Sequence, residues 1–293
     1  MIARALRHYL LAVQFFTRLP VTGRLAEWVG FSEPALRASA AHFPGVGWLV
    51  GAIAVLAWQA MVMLLGGAVG TGAGMSAGAG MGSGADVLPA GVAAVAAVFS
   101  TAATVFVTGA FHEDGLADVA DGLGGARDRD RALAIMKDSR LGTFGVLALV
   151  LAVAAKLSLL AALAGRDASA ALAAIATAHV VSRFAPLVLI RTLDYVEAGT
   201  REAPLKAKPM ASAISGRALA VAALWTLPAL VVLGIAVGVP ALAAMIVAGL
   251  LLTALLGRWF HRRLGGFTGD CLGATQQGVE LLVYLGTCAA VMH

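Results

Sequence analysis

GTFGVLALVLAVAAKLSLLAALA, Gly142 to Ala164, carries one charged residue, Lys156, in a run that is apolar on every face. A bilayer core needs about 20 mostly apolar residues per helix, whereas a membrane strand would alternate apolar and polar side chains. The run therefore reads as a transmembrane helix. Phe43 to Leu65, Leu88 to Ala110, Ser169 to Ile190, Ala218 to Gly238, Pro240 to Gly257 and Cys271 to Met292 read the same way, the last of them weakened by Gln276, Gln277 and Glu280. The 293 residues are 60% hydrophobic and 13% charged, with a mean hydropathy of +0.89, which is more aliphatic residue than a soluble domain of this length could cover. The fold class this predicts is all-α: a single integral membrane domain over 1–293, built as a polytopic helix bundle of about seven spans.

Lys and Arg orient such a bundle, because cytoplasmic loops hold an excess of them. Eighteen of the 21 fall on one side: before Phe43, within 111–141, between Arg191 and Arg217, and between Arg258 and Asp270. The other side holds Arg166, while Lys156 and Arg183 lie inside spans. The N-terminus is therefore expected inside the cell, the C-terminus outside, and the protein in the cytoplasmic (inner) membrane. The net charge of +5 suits anionic membrane lipid and anionic substrates, and needs no nucleic acid to explain it. ARALRHYLLAVQFF, near the start, fits an interfacial amphipathic helix better than a signal peptide. The glycine-rich stretch 66–87 reads as a flexible outside loop. Cys271 and Cys288 share one predicted helix about 25 Å apart and cannot pair with each other.

Against this background the segment 111–141 stands out as a cytoplasmic loop of acidic and basic residues. FHEDGLADVADGL places Glu113, Asp114, Asp118 and Asp121 within nine residues. At about 100° per residue, Asp114, Asp118 and Asp121 fall on one helical stripe with Glu113 at its flank. Like charges at that spacing repel, so a cation is expected on the stripe, and oxygen-only ligands suit a hard ion such as Mg²⁺ or Mn²⁺. A solvated helix face is the alternative. GGARDRDRALAIMKDSRLGTFG then brings Arg127, Arg129, Arg131, Lys137 and Arg140 beside the acids, as a phosphoanhydride substrate would require. For RDRDR alone a self-compensating surface turn serves as well.

A second polar island, LGGFTGDCLGATQQGVELL, carries Asp270 and Glu280 on neighbouring helical faces. An ionisable group inside a span is a functional candidate, so Glu280 either completes the site across the bundle or is neutralised internally by Arg183 or Lys156. His42, His112, His179 and His261 lack the spacing of a metal-binding helix, and no Walker loop is present. A cation-coupled transporter would use the same Glu280, Arg183 and Lys156, but no convincing internal repeat accompanies them.

These motifs resemble the cobalamin synthase family, the adenosylcobinamide-GDP ribazoletransferases. The resemblance runs through LLAVQFFTRLPV, HFPGVGWLVG, FHEDGLADVADGLGGARDRDRALAIMKDSRLGTFG, SRFAPLVLIRTLDY and GGFTGDCLGATQQ. It implies a membrane transferase in which a ribose hydroxyl of α-ribazole, or of its 5′-phosphate, attacks the cobinamide-linked phosphorus of adenosylcobinamide-GDP and expels GMP. It implies Mg²⁺ as cofactor, held by Asp114, Asp118 and Asp121, with Glu113 beside them. Arg127, Lys137, Arg140 and Glu280 are then the expected substrate-binding groups, Asp138 or Asp270 the expected base, and other corrinoid-pathway enzymes the expected associates. The chain departs from the family pattern chiefly at Glu113, where Leu is more common. A weaker likeness, to the CDP-alcohol phosphatidyltransferases, fails where that motif has Ala-Arg and this chain has Asp118.

Overall fold

A backbone N–H or C=O facing hydrocarbon has no water to bond, so each apolar run must close its hydrogen bonds within itself. In the computed structural model, which describes residues 2–70, 87–196 and 214–293, the runs do so as helices. In chain order these are α1 (Ile2–Phe16), α2 (Gly23–Val29), α3 (Glu33–Ser39), α4 (Phe43–Gly70), α5 (Ala90–Thr108), α6 (Phe111–Gly125), α7 (Arg129–Lys137), α8 (Thr143–Ala164), α9 (Ala168–Val181), α10 (Ala185–Thr192), α11 (Gly216–Val237), α12 (Val239–Leu264) and α13 (Gly269–Met292). The described residues contain no strand, only an isolated bridge between Tyr195 and Phe267 that ties the end of α10 to the entry of α13.

Six helical segments among the described residues are long and apolar enough to cross a bilayer: Glu33–Leu65, Ala90–Thr108, Thr143–Ala164, Ala168–Thr192, Gly216–Val237 and Val239–Leu264. They correspond to six of the seven expected spans. The seventh, α13, is long enough, its 24 residues reaching about 36 Å, but its polar side chains set it apart. The reason lies in its neighbours: α13 packs against α6, α8, α9, α10 and α12, so its polar face meets protein where the other helices meet lipid. Segment 111–141, expected as a cytoplasmic loop between spans with its acids on one helical stripe, folds as α6, a short turn and α7. The span expected over Ser169 to Ile190 breaks at residues 182–184 into α9 and α10. The glycine-rich stretch 66–87 falls mostly outside the described residues, with α4 running into it as far as Gly70.

Helices in lipid gain nothing by hiding apolar surface from one another, so close approach of small residues carries the packing. Gly51 of α4 shows this, since a Cβ there would lie 2.6 Å from the Ala176 carbonyl oxygen of α9. On α5, Ala93, Ala96 and Ala97 are fully buried and the Ser100 hydroxyl donates to the Ala54 carbonyl at 3.0 Å. α1 buries Leu11, Ala12, Val13 and Phe16 against the bundle and leaves Ile2 and Leu6 exposed. Beside it, the Trp225 indole N–H donates to His42 Nδ1 at 3.1 Å while Tyr9 stacks on the same indole. Cys271 and Cys288 are both free and buried.

Candidate active site

The acidic motif is positioned by a reversal and a crossing. At the end of α5, Gly109 and Ala110 both adopt left-handed backbone, with φ of 69° and 59°, and turn the chain sharply into α6. α6 then lies across the start of α13 at two glycines. A Cβ on Gly115 would sit 2.8 Å from the Asp270 carbonyl oxygen, and one on Gly273 would sit 3.1 Å from the His112 carbonyl oxygen. Backbone thus meets backbone, which brings the α6 residues Asp114 and Asp118 beside Asp270 of α13.

Among the described residues, no ion pair from a Lys, Arg or His to any of these three carboxylates is seen. Burial, then repulsion from Asp270, Asp114 and Asp121, pushes the Asp118 carboxyl up to about 7. Burial and Asp114 push Asp270 up to about 6, although Thr268 donates to it at 3.2 Å and opposes the shift. Part of the cluster is therefore protonated near neutral pH. Uncompensated negative charge on two facing helices is an arrangement that a cation stabilises.

Asp121 shares the stripe with Asp114 and Asp118 but serves another helix. Its Oδ2 accepts the Gly142 N–H at 2.7 Å and its Oδ1 accepts the Gly145 N–H at 2.8 Å. Gly142 is the N-cap residue of α8 and has no side chain to cap with, so Asp121 supplies the missing acceptor from across the chain. Glu113 also turns away from the cluster. Its Oε1 accepts from Gln277 Nε2 at 3.2 Å, and its Oε2 is buried without a hydrogen-bond partner.

The basic residues divide similarly. Arg127 is exposed in the turn between α6 and α7, and Lys137 is exposed in the last turn of α7. Arg140 is engaged by Asp138, with Nε–Oδ1 at 2.9 Å and Nη2–Oδ2 at 2.5 Å. The guanidinium holds the exposed Asp138 carboxyl down to about 2, so Asp138 is a weak base and Asp270 a stronger one. Arg263, which the sequence reading left without a role, and Arg129, expected among the basic groups beside the acids, hold the frame. Arg263 donates to the Leu123 and Ala126 carbonyls at the end of α6, and Arg129 Nε donates to the Leu264 carbonyl at 2.7 Å. Basic residues in the last turn of α12 were the available signal, but the helix whose carbonyls they meet lies far away in sequence.

Glu280, expected among the substrate-binding groups, is enclosed at 2% exposure. Its Oε1 meets Lys156 Nζ at 2.5 Å, and its Oε2 accepts from Gln276 Nε2 at 2.7 Å and faces His179 Nδ1 at 3.4 Å. The alternative of internal neutralisation, by Lys156, is the one the bundle adopts. Arg183, the other named candidate partner, donates instead to the His179 carbonyl at 2.7 Å.

The donor set suits a hard divalent cation. Asp114, Asp118 and Asp270 offer carboxylate oxygen alone, and among the described residues no three His, Cys, Asp or Glu side chains converge closely enough to hold a metal ion by themselves. Mg²⁺ is commonly held this openly, by one or two carboxylates together with water and substrate phosphate. A family model described as cobalamin-5-phosphate synthase matches residues 8–81 and 59–288. A Polaromonas protein, strain JS666, named adenosylcobinamide-GDP ribazoletransferase, is 48% identical, with 99% of each chain covered. Proteins of the same name from Albidiferax ferrireducens and Vibrio cholerae are 48% and 37% identical, covering 96% and 97% of this chain and 97% and 94% of their own. No solved structure matches.

Proposed function

The chain belongs to the cobalamin-5-phosphate synthase family, and from that premise we propose that it joins α-ribazole, or its 5′-phosphate, to adenosylcobinamide-GDP with release of GMP, a late step of cobalamin biosynthesis. In this reaction a ribose hydroxyl oxygen forms a bond to the cobinamide-linked phosphorus as the bond from that phosphorus to GMP breaks. Such transfers need positioning and charge neutralisation more than covalent catalysis. The observation that carries the reading is the carboxylate cluster of Asp114, Asp118 and Asp270 at the α6–α13 crossing, which has no ion pair among the described residues.

Asp114 and Asp118 would hold Mg²⁺, with Asp270 facing them from α13. Bound there, the ion would neutralise pyrophosphate oxygens as charge builds on them. Asp121 contributes mainly by fixing the start of α8 beside the cluster. Arg127 and Lys137 are exposed on the α7 side and suit the guanosine diphosphate, while Arg140 would have to exchange Asp138 for phosphate to join them. Asp270 is the better placed of the two candidate bases for the acceptor hydroxyl proton, since Asp138 is neutralised by Arg140. The partition of Lys and Arg supports a site on the cytoplasmic face.

The test supplies liposome-reconstituted protein with adenosylcobinamide-GDP and α-ribazole, with and without Mg²⁺, and follows GMP and the completed corrinoid together. Both products are expected only with Mg²⁺, and Asp114→Ala is expected to lower turnover on the order of 100-fold or more. A folded wild-type preparation that releases no GMP would overturn the reading.

A further inference from the structure

Inside the bundle, below the acidic cluster, runs a chain of buried polar side chains to which the proposed reaction assigns nothing. It begins at the Lys156–Glu280 ion pair between α8 and α13, 2.5 Å long and enclosed on both sides. Gln276 Nε2 donates to Glu280 Oε2 at 2.7 Å and to Ser182 Oγ at 2.9 Å. That orientation turns Gln276 Oε1 toward Gln277, whose Nε2 donates to it at 3.0 Å and to Glu113 Oε1 at 3.2 Å. Each amide is oriented by the one before it. An ionised Glu280 accepts and cannot donate, so it demands the NH₂ end of Gln276, which leaves a carbonyl for Gln277 and a donor for Glu113. Glu113 adjoins Asp114 in the first turn of α6 and lies two residues before Gly115, where that helix crosses α13 closely.

We propose that the Lys156–Glu280 pair is a positioning device for the acidic site, acting through Gln276, Gln277 and Glu113 to hold the first turn of α6, and with it Asp114 and Asp118, in register with Asp270. The opposing interpretation is that the pair serves stability alone. The two differ in what cutting the chain does. Replacing both ends by apolar residues can leave a buried pair's contribution to stability nearly neutral, whereas loss of an oriented partner behind a ligand typically weakens metal binding 10- to 100-fold.

This inference rests on the proposed metal-assisted transfer, and its test reads the site without turnover. Mn²⁺ binding to the full-length, detergent-purified protein is followed by electron paramagnetic resonance, beside the thermal midpoint. Gln277→Leu cuts the chain between the ion pair and Glu113 while leaving Lys156 and Glu280 paired. It is expected to bind Mn²⁺ about tenfold more weakly, with a thermal midpoint close to that of the wild type and an unchanged KM for α-ribazole. Lys156→Arg, which keeps the charge, is expected to retain most of the affinity. Wild-type Mn²⁺ affinity in a folded Gln277→Leu protein, or a loss that merely tracks the unfolded fraction, would overturn the proposal. Should Gln277→Leu not fold, Glu280→Gln, which keeps the shape and removes the charge, decides by the same two readings. Failure of the wild type to release GMP while these Mn²⁺ differences persist would count against the reaction and leave the positioning role standing.

Discussion

Three aspartates on one helical stripe are separated in function by what each one faces. Asp121 is buried against the start of α8 and accepts two backbone N–H groups, so Asp121→Ala leaves both donors unsatisfied. A stability loss of about 1–3 kcal/mol is expected, seen as a lowered thermal midpoint together with lost activity. Asp114→Ala and Asp118→Ala remove charge from a repulsive cluster, and are expected to abolish turnover while leaving the midpoint unchanged or raised. An Asp121→Ala protein as stable as the wild type would remove the capping role. The sequence spacing was enough to find the acids and place them on a helix face. It could not divide them, because the division depends on Gly142 and Gly145 on one side and Asp270 on the other, and helical periodicity says nothing about which neighbour arrives where. Glu113 shows the same limit: next to Asp114 in sequence, it points to Gln277 in the interior.

At the level of elements, the site exists because α6 and α13 touch through glycine. Gly115→Ala would place a methyl 2.8 Å from the Asp270 carbonyl oxygen, and the atom it meets is backbone, which cannot swing aside. A cost of about 1–3 kcal/mol is expected, with a fall in Mn²⁺ affinity as Asp270 is pushed away from Asp118. Gly91→Ala, at a position with nothing within 4 Å, is the matched control and is expected to change neither. Apolar runs made six spans legible in the sequence, since hydrocarbon imposes one rule on every residue facing it. α6, α7 and α13 were harder to read. α6 and α13 are sheltered by other helices, and shelter relaxes the composition that identifies a span, while α7 is a short helix whose charged residues are exposed.

For the whole molecule, the arrangement of Lys and Arg predicts that the ends bearing Arg127 and Arg258 face the cytoplasm and that bearing Arg166 faces outward. Both native cysteines are buried, so single introduced cysteines should report with little background. Arg127→Cys is expected to react with an impermeant maleimide in inside-out vesicles but not in intact spheroplasts, and Arg166→Cys the reverse; the opposite pattern would invert the orientation. The Lys156–Glu280 pair also has a consequence for how the bundle is made. Its two members lie 124 residues apart. At translation rates of about 5–20 residues per second, Lys156 enters the bilayer on the order of ten seconds before its counter-charge is synthesised. Each residue inserted alone at a helix centre costs about 2.5–3.5 kcal/mol on the insertion scale. α8 is apolar enough elsewhere to bear that cost during the wait, whereas α13, with its glutamines and acids, is not. Its entry depends on partners already in the membrane, so assembly is completed by the helix least able to insert without them.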